Sequence, residues 1–168
     1  MAKAGDQYTE RTGNVWNYAN RDDVLTVRRL ISEGVPADIT NKVGWTPLHA
    51  ACYGGAERVV SHLLTRESVD VDPACRAGRT PLMDAARGGH LSTVKACVKA
   101  GASVIRVDSA GLNALSHAKG EAVRAWLAQR MPAAASNQTT SASGGGGRGE
   151  RRVRAGRGGY TSYTSHPC

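Results

Sequence analysis

Much of what gives a chain chemistry is missing from these 168 residues. There is no phosphate-cradling glycine loop, no serine nucleophile elbow, no histidine pair at helical spacing and no cluster of carboxylates. We therefore expect no catalytic residues, no metal ligands and no cofactor; the chain reads as something other than an enzyme. No stretch is apolar enough to cross a bilayer as a helix, so no membrane partner is expected. Cys52, Cys75, Cys97 and Cys168 fit neither a zinc ribbon nor a redox pair. Cys52 and Cys97 fall on apolar helical positions and belong in a core, whereas Cys75 falls on a turn and is expected to be exposed. Cys168 is terminal and lacks the three following residues of a prenylation box. Residues 1–12 are polar and carry no secretory signal, so a reducing intracellular location is expected. The cytoplasm is the expected compartment, with a cytoskeletal or flagellar setting and the nucleus left open. Acid is also scarce: 14 acidic residues face 22 basic ones, a formal net charge of +8.

What is present is a string that occurs twice. Residues 44–51 read GWTPLHAA and residues 78–86 read GRTPLMDAA, which places Thr46 and Thr80 34 positions apart. A copied Thr-Pro-Leu at that distance marks a repeat architecture, and repeats of this size make binding surfaces more often than catalytic pockets. Gly78 precedes Gly111 by 33 positions, and the LNALSHA that follows Gly111 is a degraded copy with Asn113 and Ala114 in place of Thr-Pro. Upstream, NYANRDDVLTVRRLISEG (17–34) shares its spacing with AARGGHLSTVKACVKAG (85–101). Four units tile the chain, at about 13–43, 44–77, 78–110 and 111–131, between an N-terminal extension (1–12) and a tail (132–168).

Each unit has a physical reading. Thr46 and Thr80 can cap a helix start, and Pro47 and Pro81 sit in the first turn where a missing N–H costs nothing. The first helix is short, because Gly54-Gly55 and Gly88-Gly89 break it. A second helix follows with Val59, Val60, Leu63 and Leu64 on one face, repeated by Val94, Cys97 and Val98 and by Val24, Val27, Leu30 and Ile31. Ala50, Ala51, Ala85 and Ala86 are small enough to let helices approach closely. Turn-rich stretches at 34–45, 67–79 and 101–112 join the units. In unit one Asp22 stands where a glycine would sit, a site that suits a residue tolerant of left-handed geometry.

Two short antiparallel helices and a projecting turn resemble the ankyrin repeat, over residues 13–131. The fold class that the resemblance implies is an all-α ankyrin-repeat solenoid of helix-turn-helix units with projecting β-turn loops. Unit two carries an extra residue near Glu67–Asp72, and unit four lacks about three around Lys119–Glu121, so its first helix or turn is shortened. Units one and four read as end caps. The resemblance implies that His49 bonds within its repeat and to the neighbouring turn. It also implies a concave face lined by turns and first helices. By register with TPLH, the positions free to contact a partner are Asn20 and Arg21; Lys42, Val43, Trp45 and Tyr53; Arg76, Arg79 and Arg87; and Ser109 and Leu112. That set holds a tryptophan, a tyrosine, four arginines and a lysine with no acid, which favours an acidic protein partner. Asp84, nearby on the first helix of unit three, is expected to offset some of that charge. Trp45 has a second reading, as cover for the apolar side of its own turn. Four units offer a face of about 800 Å², enough for one protein or an extended peptide. No homo-oligomer is expected.

After Arg130 the composition changes. Residues 132–168 hold five arginines and one acid in a Gly/Ser/Thr-rich context, with almost nothing to bury, and read as disordered in isolation. The net charge there is +4, equal to that of the much longer stretch before it. Three roles remain open for Arg148, Arg151, Arg152, Arg154, Arg157 and Tyr160. They can contact RNA, through the single Arg157-Gly158-Gly159-Tyr160 element. They can anchor the chain in a large cytoskeletal, axonemal or ribosomal assembly as a basic arm. Or the tail is a linker.

Overall fold

The computed structural model describes residues 14–131. Among them, helices occur in pairs: α1 (Val15–Asn20) with α2 (Val24–Ser32), α3 (Pro47–Gly54) with α4 (Glu57–Leu64), α5 (Pro81–Gly88) with α6 (Leu91–Lys99), and α7 (Ala114–His117) with α8 (Glu121–Ala128). The first helices pack in the series α1, α3, α5, α7, and the second helices in the parallel series α2, α4, α6, α8. The described residues hold no β-strand, only an isolated bridge between Val107 and Asn113.

The starts of the first helices follow from the repeated string. Thr46 Oγ1 accepts from His49 N–H at 3.4 Å and Thr80 Oγ1 from Met83 N–H at 3.5 Å. Asn113, which replaces threonine in unit four, does the same with its amide oxygen, accepting from Ser116 N–H at 3.0 Å. The ends follow from glycine: Gly55 closes α3 with φ +71°, left-handed geometry that strains any side chain. Asp22 holds the equivalent place after α1 at φ +60°. Its carboxylate has a further task, accepting from Val59 N–H at 3.0 Å and so capping α4, whose own cap residue Ala56 has no side-chain acceptor. Unit four has no glycine pair at this point, and α7 spans only four residues.

The chain has no phenylalanine, and its core is a continuous layer of alanine, valine and leucine between the two helix rows. Val27, Leu30, Val59, Val60, Leu63, Val94 and Cys97 point inward from the second helices, as their spacing predicts, while Leu64 and Val98 are half-buried. Leu48 and Leu82 are fully enclosed, and Ala50, Ala51, Ala85 and Ala86 are buried on first helices that pack against one another. Cys52 and Cys97 are core residues with their sulfurs 3.4 Å apart. Cys75 corrects an expectation. It is 5% exposed, with Gly44 of the preceding turn packed against its backbone, and its N–H is bonded to Arg79 O at 2.9 Å.

Candidate protein-binding surface

The turns before α3, α5 and α7 share one geometry. Asn41 N–H bonds to Trp45 O, Cys75 N–H to Arg79 O and Asp108 N–H to Leu112 O, at 3.0, 2.9 and 2.9 Å. Asn41 Oδ1 also accepts from the N–H groups of Val43 and Trp45, as Asp108 Oδ1 does from those of Ala110 and Leu112. Side-chain oxygens at these positions hold a turn without help from the rest of the fold. The turns then join edge to edge: Arg76 N–H donates to Val43 O at 3.1 Å and Ser109 N–H to Ala77 O at 3.0 Å. Gly78 makes the second junction possible, since its φ is +74° and a Cβ there would lie 2.9 Å from Ser109 N.

A second set of bonds ties the turns before α3 and α5 to the preceding unit. His49 Nδ1 accepts from Thr46 N–H at 3.1 Å, and Nε2 lies 3.1 Å from Arg79 O. A ring that accepts at Nδ1 and donates at Nε2 is the neutral imidazole. Burial disfavours the charged form as well, and the pKa of His49 falls to about 4. The role expected for His49 is thus observed. Trp16 occupies the same register in unit one, and its indole N–H donates to Trp45 O at 2.7 Å. Met83 has that register in unit three and has no donor to offer. There, His117 of α7 reaches Asp108 of its own turn, with Nε2 2.8 Å from Oδ2.

Asn20, Val43, Trp45 and Tyr53, all selected from sequence, converge on one groove of about 380 Å³ between α1, the turn before α3 and α3 itself. The ring of Trp45 stacks on His49, with centroids 6.2 Å apart, and tilts against Tyr53 at 5.8 Å. Trp45 therefore covers its turn and lines the groove at once. Arg87 is half-buried with its guanidinium 5.8 Å from the centre of the Tyr53 ring. Arg21, Lys42 and Arg76 are exposed next to groove residues or their bonded neighbours. Ser109 and Leu112 are exposed on the third turn, outside the groove.

Arg79 departs from its expected place. It is 7% exposed, and its Nε lies 3.1 Å from Asp84 Oδ1, a carboxylate that is itself fully buried. Burial pushes the pKa of Asp84 up to about 6, with Arg79 pulling the other way. Asp84 accordingly lies under the face and does not offset the surface charge. The sequence reading also missed Asn14, Trp16 and Asn17, which line the groove. Their signal was available: NVWNYAN places three asparagines three residues apart. The tail residues Arg148, Arg151, Arg152, Arg154, Arg157 and Tyr160 lie outside the described residues.

Among the described residues no group of three or more His, Cys, Asp or Glu side chains could hold a metal ion, and no helix is long and apolar enough to cross a membrane. Residues 16–108 match the family described as Ankyrin repeats (3 copies). The chain is 34% identical over 112 residues to neurogenic locus notch homolog protein 1 of Xenopus tropicalis. It is 32% identical over the same length to that protein and to neurogenic locus notch homolog protein 2 of Homo sapiens. Each alignment covers 64% of this chain and 4% of the relative, so the chain spans a small part of these proteins' length. The helix pairs, the joined turns and the Thr-Pro-Leu caps agree with that match: the chain belongs to the ankyrin-repeat family, whose repeats are protein–protein interaction modules.

Proposed function

We propose that the chain is a non-enzymatic binding module that takes an acidic protein partner on the face formed by its turns and first helices. The observation that carries this is the convergence of Trp45 and Tyr53 on one groove, with exposed Lys42, Arg76 and Arg21 around it and no carboxylate among the described residues that line it. Aromatic residues and arginine dominate the energetics of protein interfaces, and a positive rim speeds encounter with an acidic surface. The test is affinity purification with the full chain, followed by the same experiment with Arg76→Glu, Arg87→Glu and Trp45→Ala. Loss of one partner set from all three, with helical content unchanged, is the expected result. Unaltered capture by all three would overturn the assignment of this face. Arg79 is left out of the test because its guanidinium holds a buried carboxylate.

The composition of residues 132–168 supports a second reading, in which a basic arm anchors the chain in a large assembly. Deleting those residues should then release the chain from its assembly while the repeats stay folded, and retention of the shortened form counts against the arm. If the arm acts on RNA instead, affinity falls steeply with salt and disappears when the arginines at 148–157 become alanine.

A further inference from the structure

We propose that the groove takes an extended, proline-containing segment of the partner in the polyproline II conformation, flanked by acidic residues; this rests on reading the face as a protein-binding surface. Asn14, at the cap of α1, and Asn17 and Asn20 within it stand three residues apart, are exposed, and all line the groove. At the rise of an α-helix the row is about 9 Å long. One polyproline II turn advances by about the same distance, and its main-chain groups make no bonds to one another, so they are open to outside partners. A carboxamide both donates and accepts, so each asparagine can bond to a peptide C=O or N–H. Asn14 caps α1 by position, yet its side chain makes no capping hydrogen bond. Asn41 also lines the groove but is no part of this row, because its oxygen already accepts two backbone N–H groups of the turn.

The opposite wall is aromatic. Trp45 is held by His49 and Tyr53, and its carbonyl by the indole N–H of Trp16 on α1, so this wall is ordered before anything binds. Rigid aromatic walls suit proline, which is apolar, loses little freedom on docking and is recognised elsewhere in aromatic-lined grooves. Among the described residues no charged side chain lines the groove, so a charge placed inside would lose hydration without gaining a partner from them. Charge enters only at the edges, where Lys42 and Arg76 are exposed and Arg87 stands against Tyr53. The occupant that fits is therefore neutral in the middle and acidic at its ends.

The test uses fluorescence anisotropy on the full chain with three labelled peptides, EEPPAPPEE, EEGGAGGEE and KKPPAPPKK. The first should bind about tenfold or more tightly than the second, because glycine must lose the freedom that proline lacks. The third should bind more weakly than the first, and the difference should shrink as salt is raised. Asn17→Leu, at an exposed helical position, should weaken EEPPAPPEE by about fivefold, the equivalent of one lost hydrogen bond, with its melting temperature unchanged. Absence of saturable binding of EEPPAPPEE up to millimolar peptide overturns the proposal, as does indifference to Asn17→Leu. Equal affinity for the first two peptides, both weakened by Arg76→Glu, removes the polyproline segment while leaving the acidic-partner reading intact. Displacement of EEPPAPPEE by an oligothymidylate of higher affinity assigns the groove to single-stranded nucleic acid instead.

Discussion

Units two and three begin on the same string and use the residue before its threonine in opposite ways. In unit two that residue is Trp45, which lies half-buried against His49 and Tyr53 and forms a wall of the groove. In unit three it is Arg79, which turns inward to a buried carboxylate. The cause lies five residues on, where unit two has Ala50 and unit three has Asp84. A methyl group asks nothing of its neighbour, whereas a buried carboxylate must be paired or neutralised. The difference teaches that a repeat register tells which backbone positions fall on the turns and first helices. Whether a side chain stays there depends on what lies beneath it.

The sharpest way to break this comparison is to remove the arginine. Arg79→Ala leaves Asp84 buried without its partner and should cost about 3–5 kcal/mol in chemical denaturation. Transplanting the unit-two pair, with Arg79→Trp and Asp84→Ala together, should recover most of that loss. If the double variant is as unstable as Arg79→Ala, the carboxylate is not what draws the arginine inward.

Removing a core leucine compares the central units with the end of the stack. Leu48→Ala or Leu82→Ala, each at a fully enclosed position, should cost about 2–5 kcal/mol. Leu115→Ala should cost less, since Leu115 is half-buried in a four-residue helix with no unit beyond α8 among the described residues. Equal denaturation midpoints for Leu82→Ala and Leu115→Ala would show that the shortened unit is as well packed as the centre.

Titration separates units two and three in another way. His49 has a folded pKa of about 4 against 6.5 when free, so it stays neutral in the fold while the unfolded chain takes up a proton. Its contribution to stability is complete above 6.5 and is lost as pH falls toward 4. Asp84 runs in the reverse sense: its folded pKa of about 6 lies above the free value of 3.8, so the native state binds the extra proton. Stability from Asp84 therefore falls as pH rises from about 4 to 6. Each effect is on the order of 3 kcal/mol across its window, and the two oppose. His49→Gln should flatten the acid side of the stability profile relative to wild type, and Asp84→Asn should steepen it. Parallel profiles for both variants would contradict these environments.

The smallest effect on stability is expected at the rim. Arg76→Glu, on an exposed turn, should change the free energy of unfolding by less than about 0.5 kcal/mol. Its measurable consequence is slower, salt-sensitive association with the partner. A large loss of stability would mean that the Arg76 side chain, and not only its bonded N–H, helps to hold the turns together.

Much of this architecture is legible in the residues. The caps at Thr46 and Thr80, the helix breaks at the glycine pairs, the inward valines and leucines and the short inner helix of unit four all stand where local chemistry puts them. So do the core cysteines Cys52 and Cys97. Other features were not legible, each for a contact between residues distant in sequence. Cys75 is buried where the preceding turn lies against it, with Gly44 packed on its backbone. Trp16 takes the place of a histidine because only an N–H in that register matters for reaching Trp45 O, 29 residues on. Asp22 caps a helix 37 positions away, a task for which nothing around Asp22 gives a sign. The amide row of α1 was readable as spacing, but a row becomes a surface only when a facing wall exists.

The sequence by itself determined the repeat, its period and the ends of its central helices, because those depend on dihedral preference, capping and apolar spacing within a few residues. Only the tertiary structure decided which free positions remain at the surface. Burial and charge pairing are set between units, and there Asp84 removed Arg79 from the face while α1 brought Asn14 and Asn17 to it.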